Sequence, residues 1–422
     1  MRRALARALP ALPALLLALQ ATASGVLSPQ AVPPPTPVPP NGSPSPFISD
    51  LRIPGDPSPV PHVDARSVLL VDLSVDQVLV QTSVHDPLPV ASLTKVMTAV
   101  LVIEGERGHL DRTIRVDPGA VFGRGDFGST SSLGLAAGER ISLRGLLGAL
   151  LLGSANDAAE ALAIHRSGSV AGFVDDMNAR ARELGMRDTR FTSPHGLDDR
   201  GRSSAADLAI LLRAALDEPV FRQLVERRSV TIRSSRVRRR SIQNRNVLLW
   251  LYRGATGVKT GSTAGAGFCL IATARRDGRE LAAIVLGGRD EVFSDAAALL
   301  NHGFAAYELR TLVEEGEALG SLALRGGTVP VVAAEALTVL VRDGQEAAID
   351  RVLTAGARAA YPAVADSVVG TLRLEGPEGT LGRVPVLAGD VRLPPAPTAP
   401  WWVRAGGAFA RAVTAAVDGL FG

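Results

Sequence analysis

Ser92 and Lys95 stand three residues apart in the stretch PVASLTKVMTAV, and Lys95 is one of only two lysines among the 45 basic residues of a 422-residue chain. The other is Lys259, in GVKTGSTAGAG. A GC-rich coding bias accounts for arginine replacing lysine elsewhere, but not for where the two lysines remain. From Ala91 to Glu104 there is no Gly or Pro, and Leu93, Val96, Met97 and Val100 recur at helical spacing. This predicts a buried helix starting around Val90-Ala91 and ending near Gly105, with Ser92 and Lys95 on one face about a turn apart. A serine hydroxyl is a poor nucleophile until a base takes its proton. Arginine does not deprotonate in proteins, whereas a lysine can when burial or a nearby cation depresses its pKa. Ser92 and Lys95 are therefore a candidate nucleophile and base, favoured further by the helix N-terminus. The pattern has plainer sources: S-x-x-K arises by chance about once in a chain of this length, and a serine at a helix start is commonly a cap.

Other features bound the reading. Net charge is +3, so no nucleic-acid partner is expected, despite a basic run at 227–246. There Val230, Ile232 and Val237 alternate with polar residues, as in a solvated hairpin; attraction to an anionic envelope polymer or lipid surface is the alternative. The single cysteine, Cys269, excludes an intramolecular disulfide and a cysteine-rich metal site. It sits in the apolar run GFCLIATA and reads as a buried, inert thiol. No metal or cofactor is expected. His195, in SPHGLD, reads as a turn residue with a structural hydrogen bond; a role in the active site is the alternative.

Residues 1–23 read as an export signal: basic MRRALAR, apolar ALPALLLAL, then Ala21-Thr22-Ala23 as a cleavage site. No cysteine follows to carry a lipid, so the mature chain is expected outside the cytoplasm, starting near Ser24. Residues 24–62 are a Pro-rich linker. The part at 63–307 begins with the strand-like SVLLVDLS and QVLVQTS. Helical stretches follow at 142–166, broken at GSAN, and at 170–184 and 204–216. GFCLIATARR and RELAAIVLGG then flank Asp277-Gly278, a strong hairpin signal, before a closing helix. The order hairpin, helices, hairpin, helix requires the first and last strands to meet in one antiparallel sheet flanked by helices, an α/β (α+β) fold. Short Val- and Leu-rich runs at 308–395 predict a small all-β domain. Residues 396–422 form a Pro-rich hinge and an amphipathic helix. Trp402, Phe409, Val413 and Leu420 gather on one side, with Arg404, Arg411 and Asp418 on the other. This pattern predicts a helix lying in a membrane interface; a helix docked on the β domain is the alternative.

Two further motifs stand in order with Ser92-x-x-Lys95: Ser154-Ala155-Asn156 and Lys259-Thr260-Gly261. The set Ser-x-x-Lys, Ser-x-Asn, Lys-Thr-Gly marks penicillin-binding proteins and serine β-lactamases. From about Ala65 to Phe304, the chain resembles a low-molecular-mass penicillin-binding protein of the D-alanyl-D-alanine carboxypeptidase type. The likeness includes GSANDAAEAL, FTSPHGLDD, QNRNVLLW and VLGGRD. It implies a serine β-lactamase/transpeptidase-like catalytic domain and an enzyme exported to the periplasm or the outer face of the cytoplasmic membrane, peripherally anchored by its C-terminal helix. The substrate implied is the peptidoglycan stem peptide, with β-lactam antibiotics as acylating mimics. Residue by residue, the resemblance implies that Ser92 attacks the penultimate D-alanine carbonyl and Lys95 accepts its proton. Ser154 relays a proton to the leaving amine, and Asn156 binds the substrate amide and Lys95. Lys259 lowers the pKa of Lys95 and, with Thr260, faces the terminal carboxylate. The N–H groups of Ser92 and Ser262 form the oxyanion hole, and Gly261 is a further candidate for substrate binding. Arg289 is a further candidate for the carboxylate. Relatives often carry His, Tyr or Thr where this chain has Ser262, and Asn where it has Ser193. No ExxLN-like segment occurs within 160–200, which argues against a class A β-lactamase. A cross-link endopeptidase and a non-enzymatic peptidoglycan-binding or β-lactam-sensing module are the remaining alternatives.

Overall fold

The structure, a computed structural model, describes residues 59–389 apart from 122–130, Asp290, Asp343 and Glu378. The expected export signal, nearly all of the linker and the hinge and helix of 396–422 lie outside the described residues. The chain opens with strands β1 (Ser67–Asp72) and β2 (Gln77–Thr82), a 3-10 turn over Ala91–Thr94, and helix α1 (Lys95–Gly105). A short pair follows, β3 (Thr113–Arg115) with β4 (Arg140–Ser142), and then α2 (Leu143–Leu151), α3 (Asn156–Ser167), α4 (Val170–Glu183), α5 (Ala205–Leu216) and α6 (Pro219–Val225). The basic run forms the hairpin β5 (Ser229–Ile232) and β6 (Arg240–Gln243). A single helical turn, α7 (Leu248–Leu251), leads to β7 (Ala255–Thr263), β8 (Gly267–Arg276), β9 (Arg279–Gly288) and α8 (Val292–Ala305). Thereafter the chain is mainly strand: β10 (Tyr307–Val313), β11 (Ala318–Leu324), β12 (Gly327–Ala333), β13 (Leu337–Arg342), β14 (Asp350–Ala355), β15 (Val368–Gly376) and β16 (Gly379–Ala388).

The first and last strands do meet. β1 pairs antiparallel with β9, giving a five-stranded sheet in the order β2-β1-β9-β8-β7. Both faces are apolar because both are covered. Leu69, Val71, Cys269, Ile271, Ala282 and Ile284 belong to the core shared with α1 to α6. Their neighbours Val68, Leu70, Leu270, Ala272, Ala283 and Val285 pack with Ala296, Leu299 and Leu300 of α8. Alternation along a strand whose two faces are both buried leaves the near-continuous apolar runs seen in the sequence. Asp277 and Gly278 both take positive φ, 48° and 82°, as a two-residue hairpin turn requires. Burial pushes the Cys269 thiol up to about 11, so it stays protonated and inert.

The glycines of SLRGLLGALLLGS have a packing reason. Gly145 and Gly148 on α2, and Gly153 beyond it, lie against Ile232, Val230 and Ile242 of the β5–β6 hairpin. A Cβ at Gly153 would stand 2.9 Å from Ile242. In the C-terminal part, Val313, Val329, Val339, Leu372, Val384 and Val386 form a core of their own. β13 is tied back to β2 by the buried Gln77, whose amide donates to Leu340 O at 2.6 Å and accepts from Leu340 N at 2.8 Å. Tyr307 donates to Leu79 O at 2.7 Å.

Candidate active site

The helix foreseen from Val90-Ala91 to Gly105 is present, but its first turn is 3-10 and α1 proper starts at Lys95. In a 3-10 turn residues i and i+3 eclipse. Ser92 and Lys95 are such a pair, and Lys95 Nζ donates to Ser92 Oγ at 2.8 Å. Ala91, just ahead of Ser92, is held at a positive φ of 47°. A non-glycine residue in that region costs on the order of 1–3 kcal/mol and persists only where its surroundings enforce it. Strand β7 is one such neighbour: a Cβ on Gly261 would lie 3.0 Å from Ser92 N and 3.1 Å from Val90 O. The other is the turn at Gly196, whose φ is +76° and whose Cβ position lies 2.0 Å from Ala91 O. The contact at Gly196 requires glycine and that at Gly261 is tight, and together they clamp the nucleophile turn from two sides.

Lys95 is fully buried, and its second hydrogen bond goes to the backbone carbonyl of His195 at 2.8 Å. That carbonyl is the one site contact on Lys95 without a side-chain signal in the sequence. The turn carrying it is tightly held. Thr98 Oγ1 donates to Pro194 O at 2.6 Å, and Gly196 N donates to Ser193 Oγ at 2.9 Å. His195 Nδ1 accepts from Leu197 N at 3.2 Å, which leaves the ring proton on Nε2, 3.4 Å from Glu160 Oε1. Glu160 lies on α3, so His195 ties this turn to the helix that Asn156 begins. His195 is thus a structural turn histidine, as expected.

Lys259 on β7 forms the second half. Its Nζ donates to Ser154 Oγ at 3.0 Å and to Thr260 O at 2.7 Å. Ser154 takes a positive φ of 58° in the break between α2 and α3. Asp157, the next acid in GSANDAA, is buried and accepts from Leu133 N, Leu135 N, Ala158 N and Ser132 Oγ at 2.7–3.0 Å. It fixes the 131–135 stretch, whose Ser131 O accepts from Asn156 N at 2.9 Å. Asn156 is buried, and its Oδ1 has no hydrogen-bond partner among the described residues. The bond between Asn156 and Lys95 that the resemblance implies is therefore not made through this oxygen.

Among the described residues no carboxylate pairs with either lysine, and the two side chains are 0% and 1% exposed. A buried, unpaired ammonium loses its protonated form. Burial, then Lys259, then Arg245 hold Lys95 well below the ordinary lysine value. Burial and then Arg245 lower Lys259 to about 7. Arg245, in QNRN, is half-buried and acts electrostatically on both lysines; sequence reasoning quoted its motif without giving it a role. Thr260 is nearly buried and Ser262 is exposed. Arg289 is not gathered into this cluster: its side chain is 82% exposed and pairs with Asp64 at 3.4 Å.

Known proteins resemble this chain in sequence and fold. Residues 56–290 match the family model described as D-alanyl-D-alanine carboxypeptidase. The chain is 37% identical over 285 residues to the D-alanyl-D-alanine carboxypeptidase DacD of Escherichia coli (strain K12), covering 64% of this chain and 70% of that relative. It is 28% identical over 292 residues to DacF of Bacillus subtilis (strain 168), covering 67% and 74%. Penicillin binding protein 6B from Escherichia coli superposes with a TM-score of 0.61 at 31% identity, over 78% of this chain and 96% of that one. The carboxypeptidase DacD from Francisella tularensis shares the fold, with a TM-score of 0.64 at 23% identity over 79% and 94%. With the family model spanning more than half of its length, the chain belongs to the D-alanyl-D-alanine carboxypeptidase family.

Proposed function

We propose that this chain removes the terminal D-alanine from peptidoglycan stem peptides through an acyl-enzyme on Ser92. The observation that carries the reading is the 2.8 Å contact from Lys95 Nζ to Ser92 Oγ, made by a buried lysine whose pKa is held down. Ser92 Oγ attacks the carbonyl carbon of the penultimate D-alanine and its proton passes to Lys95. The N–H groups of Ser92 and Ser262 receive the oxyanion, a stabilisation worth about 3–4 kcal/mol per donor in related chemistry. The C–N bond then breaks, and the leaving amine takes the proton that Lys95 received, delivered through Ser154, which leaves Lys95 neutral again. Water attacks the resulting ester, Lys95 takes its proton and returns it to Ser92 Oγ as the acyl C–O bond breaks, which restores both groups. Lys259 and Thr260 receive the substrate's terminal carboxylate. The unpartnered Asn156 Oδ1 accepts the N–H of the substrate amide. Leaving such an acceptor empty costs about 1–3 kcal/mol, which a bound amide recovers. A β-lactam enters the same attack, but its ring-opened amine stays tethered.

We assign residues 63–307 to this catalytic part and 308–395 to the β domain. The export signal of 1–23 and the interfacial helix of 396–422 would set the enzyme outside the cytoplasm, peripherally bound to the membrane. Among the described residues no helix is long and apolar enough to cross a membrane. The deciding experiment measures covalent labelling by a fluorescent penicillin and, separately, D-alanine release from a D-Ala-D-Ala peptide. Mass spectrometry should find one adduct, on the peptide containing Ser92, and Ser92→Ala should abolish it. Labelling without D-alanine release would reject the carboxypeptidase in favour of a β-lactam sensor, and an adduct on another serine would reject the nucleophile.

A further inference from the structure

The basic hairpin β5–β6 presses Val230, Ile232 and Ile242 onto the glycines of α2 and Gly153. One side of it is therefore firmly seated, while Arg233, Arg236, Arg238 and Arg239 stay exposed. The fold then adds charge from far along the chain. Ser235 N donates to Arg140 O and Arg140 N donates to Ser235 Oγ, each at 2.9 Å, joining the hairpin turn to β4. Across β3–β4, Arg140 stands in register with Arg115, and both are exposed. Two like charges directly opposite on a strand pair are destabilising. None of these six arginines has an acidic partner among the described residues. Arg240 of the same hairpin does: it pairs at 2.8 Å with the buried Glu139. Some arginines elsewhere, such as Arg112, Arg144 and Arg222, also pair with acids, whereas Arg182, Arg187 and Arg190 are exposed without an acidic partner among the described residues.

The chain leads from this surface to the catalytic cluster within a few residues. Arg239 is six residues from Arg245, which bounds their Cα separation at about 20 Å. A five-residue peptide extends about 17 Å by the same rule. Resting on the proposed function, the polyanion that must lie beside this cleft is the substrate polymer itself. Every stem peptide, before and after the reaction, ends in a carboxylate. We propose that Arg115, Arg140, Arg233, Arg236, Arg238 and Arg239 form a docking surface for the carboxylates of the peptidoglycan strand next to the peptide being cleaved. The guanidinium fork matches a carboxylate in two parallel hydrogen bonds. Exposed ion pairs are individually weak, so the surface works on a polymer that engages several arginines together and not on a short peptide.

The test compares the full chain with an R233Q/R236Q/R238Q/R239Q variant and a charge-keeping variant with Lys at the same four positions. Each is sedimented at low salt with intact sacculi, with sacculi whose carboxylates are amidated, with sacculi stripped of phosphate polymers, and with anionic lipid vesicles. Sacculus binding should fall at least ten-fold in the Gln variant and stay within three-fold in the Lys variant. Amidation should weaken wild-type binding as strongly, and phosphate stripping should leave it intact. Turnover of a short acyl-D-Ala-D-Ala peptide should be the same in all three proteins. Equal sacculus binding by wild type and the Gln variant overturns the proposal. So does indifference to amidation, a loss seen only on phosphate stripping, or a defect confined to vesicles. If the wild type fails to cleave the short peptide, the functional reading falls, and the binding comparison still decides whether the surface recognises carboxylates.

Discussion

Gly196→Ala tests whether the nucleophile is placed by the turn at 193–197. A Cβ at this position would stand 2.0 Å from Ala91 O and 2.5 Å from Thr94 Oγ1, where ordinary contact begins at 3.4 Å. The Ala91 carbonyl, or the whole turn, must therefore withdraw by about 1.4 Å to reach van der Waals distance. Ala91 immediately precedes Ser92, and the His195 carbonyl that holds Lys95 sits on the withdrawing turn. The displacement separates nucleophile from base, and a misplacement of about 1 Å costs on the order of 100-fold in rate. The φ of +76° adds strain of about 1–2 kcal/mol for any residue with a Cβ. The variant should melt several degrees lower, remain folded by circular dichroism below that transition, and show a second-order penicillin acylation rate reduced about 100-fold. The assay is a time course of fluorescent-penicillin labelling, normalised to folded protein. A folded variant acylating within three-fold of wild type would refute the claim that this turn sets the nucleophile.

Lys95→Arg places a permanent charge in a buried site, so it should melt lower, and its folded fraction should lose at least 100-fold in acylation, as expected for removal of a general base; labelling of the folded variant at the wild-type rate would mean that Lys95 is not the base. Lys259→Arg should be milder, because a cation remains, and equal loss in both variants would give Lys259 more than a charge to supply. The pH dependence of kcat/KM on a carboxylate-ended peptide follows from the two lowered pKa values. Acylation requires neutral Lys95, so it rises as pH climbs through the Lys95 pKa, on the acid side of the ordinary lysine value. Carboxylate binding requires protonated Lys259, so a falling limb should begin at about 7 and be absent in Lys259→Arg, which stays charged. Arg245→Met removes a cation that lowers both lysines, so both limbs should move to higher pH; limbs that stay in place would show that Arg245 does not act on the lysines.

The elements that carry the site were legible because each leaves a local mark. The central strands alternate between two buried faces, GSAN interrupts a helical pattern, and Asp277-Gly278 can hardly be anything but a tight turn. The three motifs fixed the order of chemistry along the chain, and the structure brings Ser92 to Lys95 and Ser154 to Lys259. What stayed hidden works through backbone or distant partners. A carbonyl acceptor such as His195 O has no residue-type signature, since any residue supplies one. Arg115 and Arg140 meet the basic hairpin only through sheet register and a bridge at Ser235. Helix α6 is too short, at seven residues, to show a period. Burial, which the sequence could only suggest, explains why two lysines persist in a chain that otherwise uses arginine. Among the described residues no carboxylate reaches either Nζ atom, and a permanent charge there would remain unsolvated and unpaired. An amine escapes that cost by giving up its proton, and in doing so becomes a base; a guanidinium can do neither. Burial lowers the Arg245 pKa, but its guanidinium keeps its proton, and the half-buried position leaves that charge in reach of water, from where it biases both amines toward the neutral form. The division of basic residues in the cluster therefore follows solvent access: arginine where water still reaches, lysine where it does not.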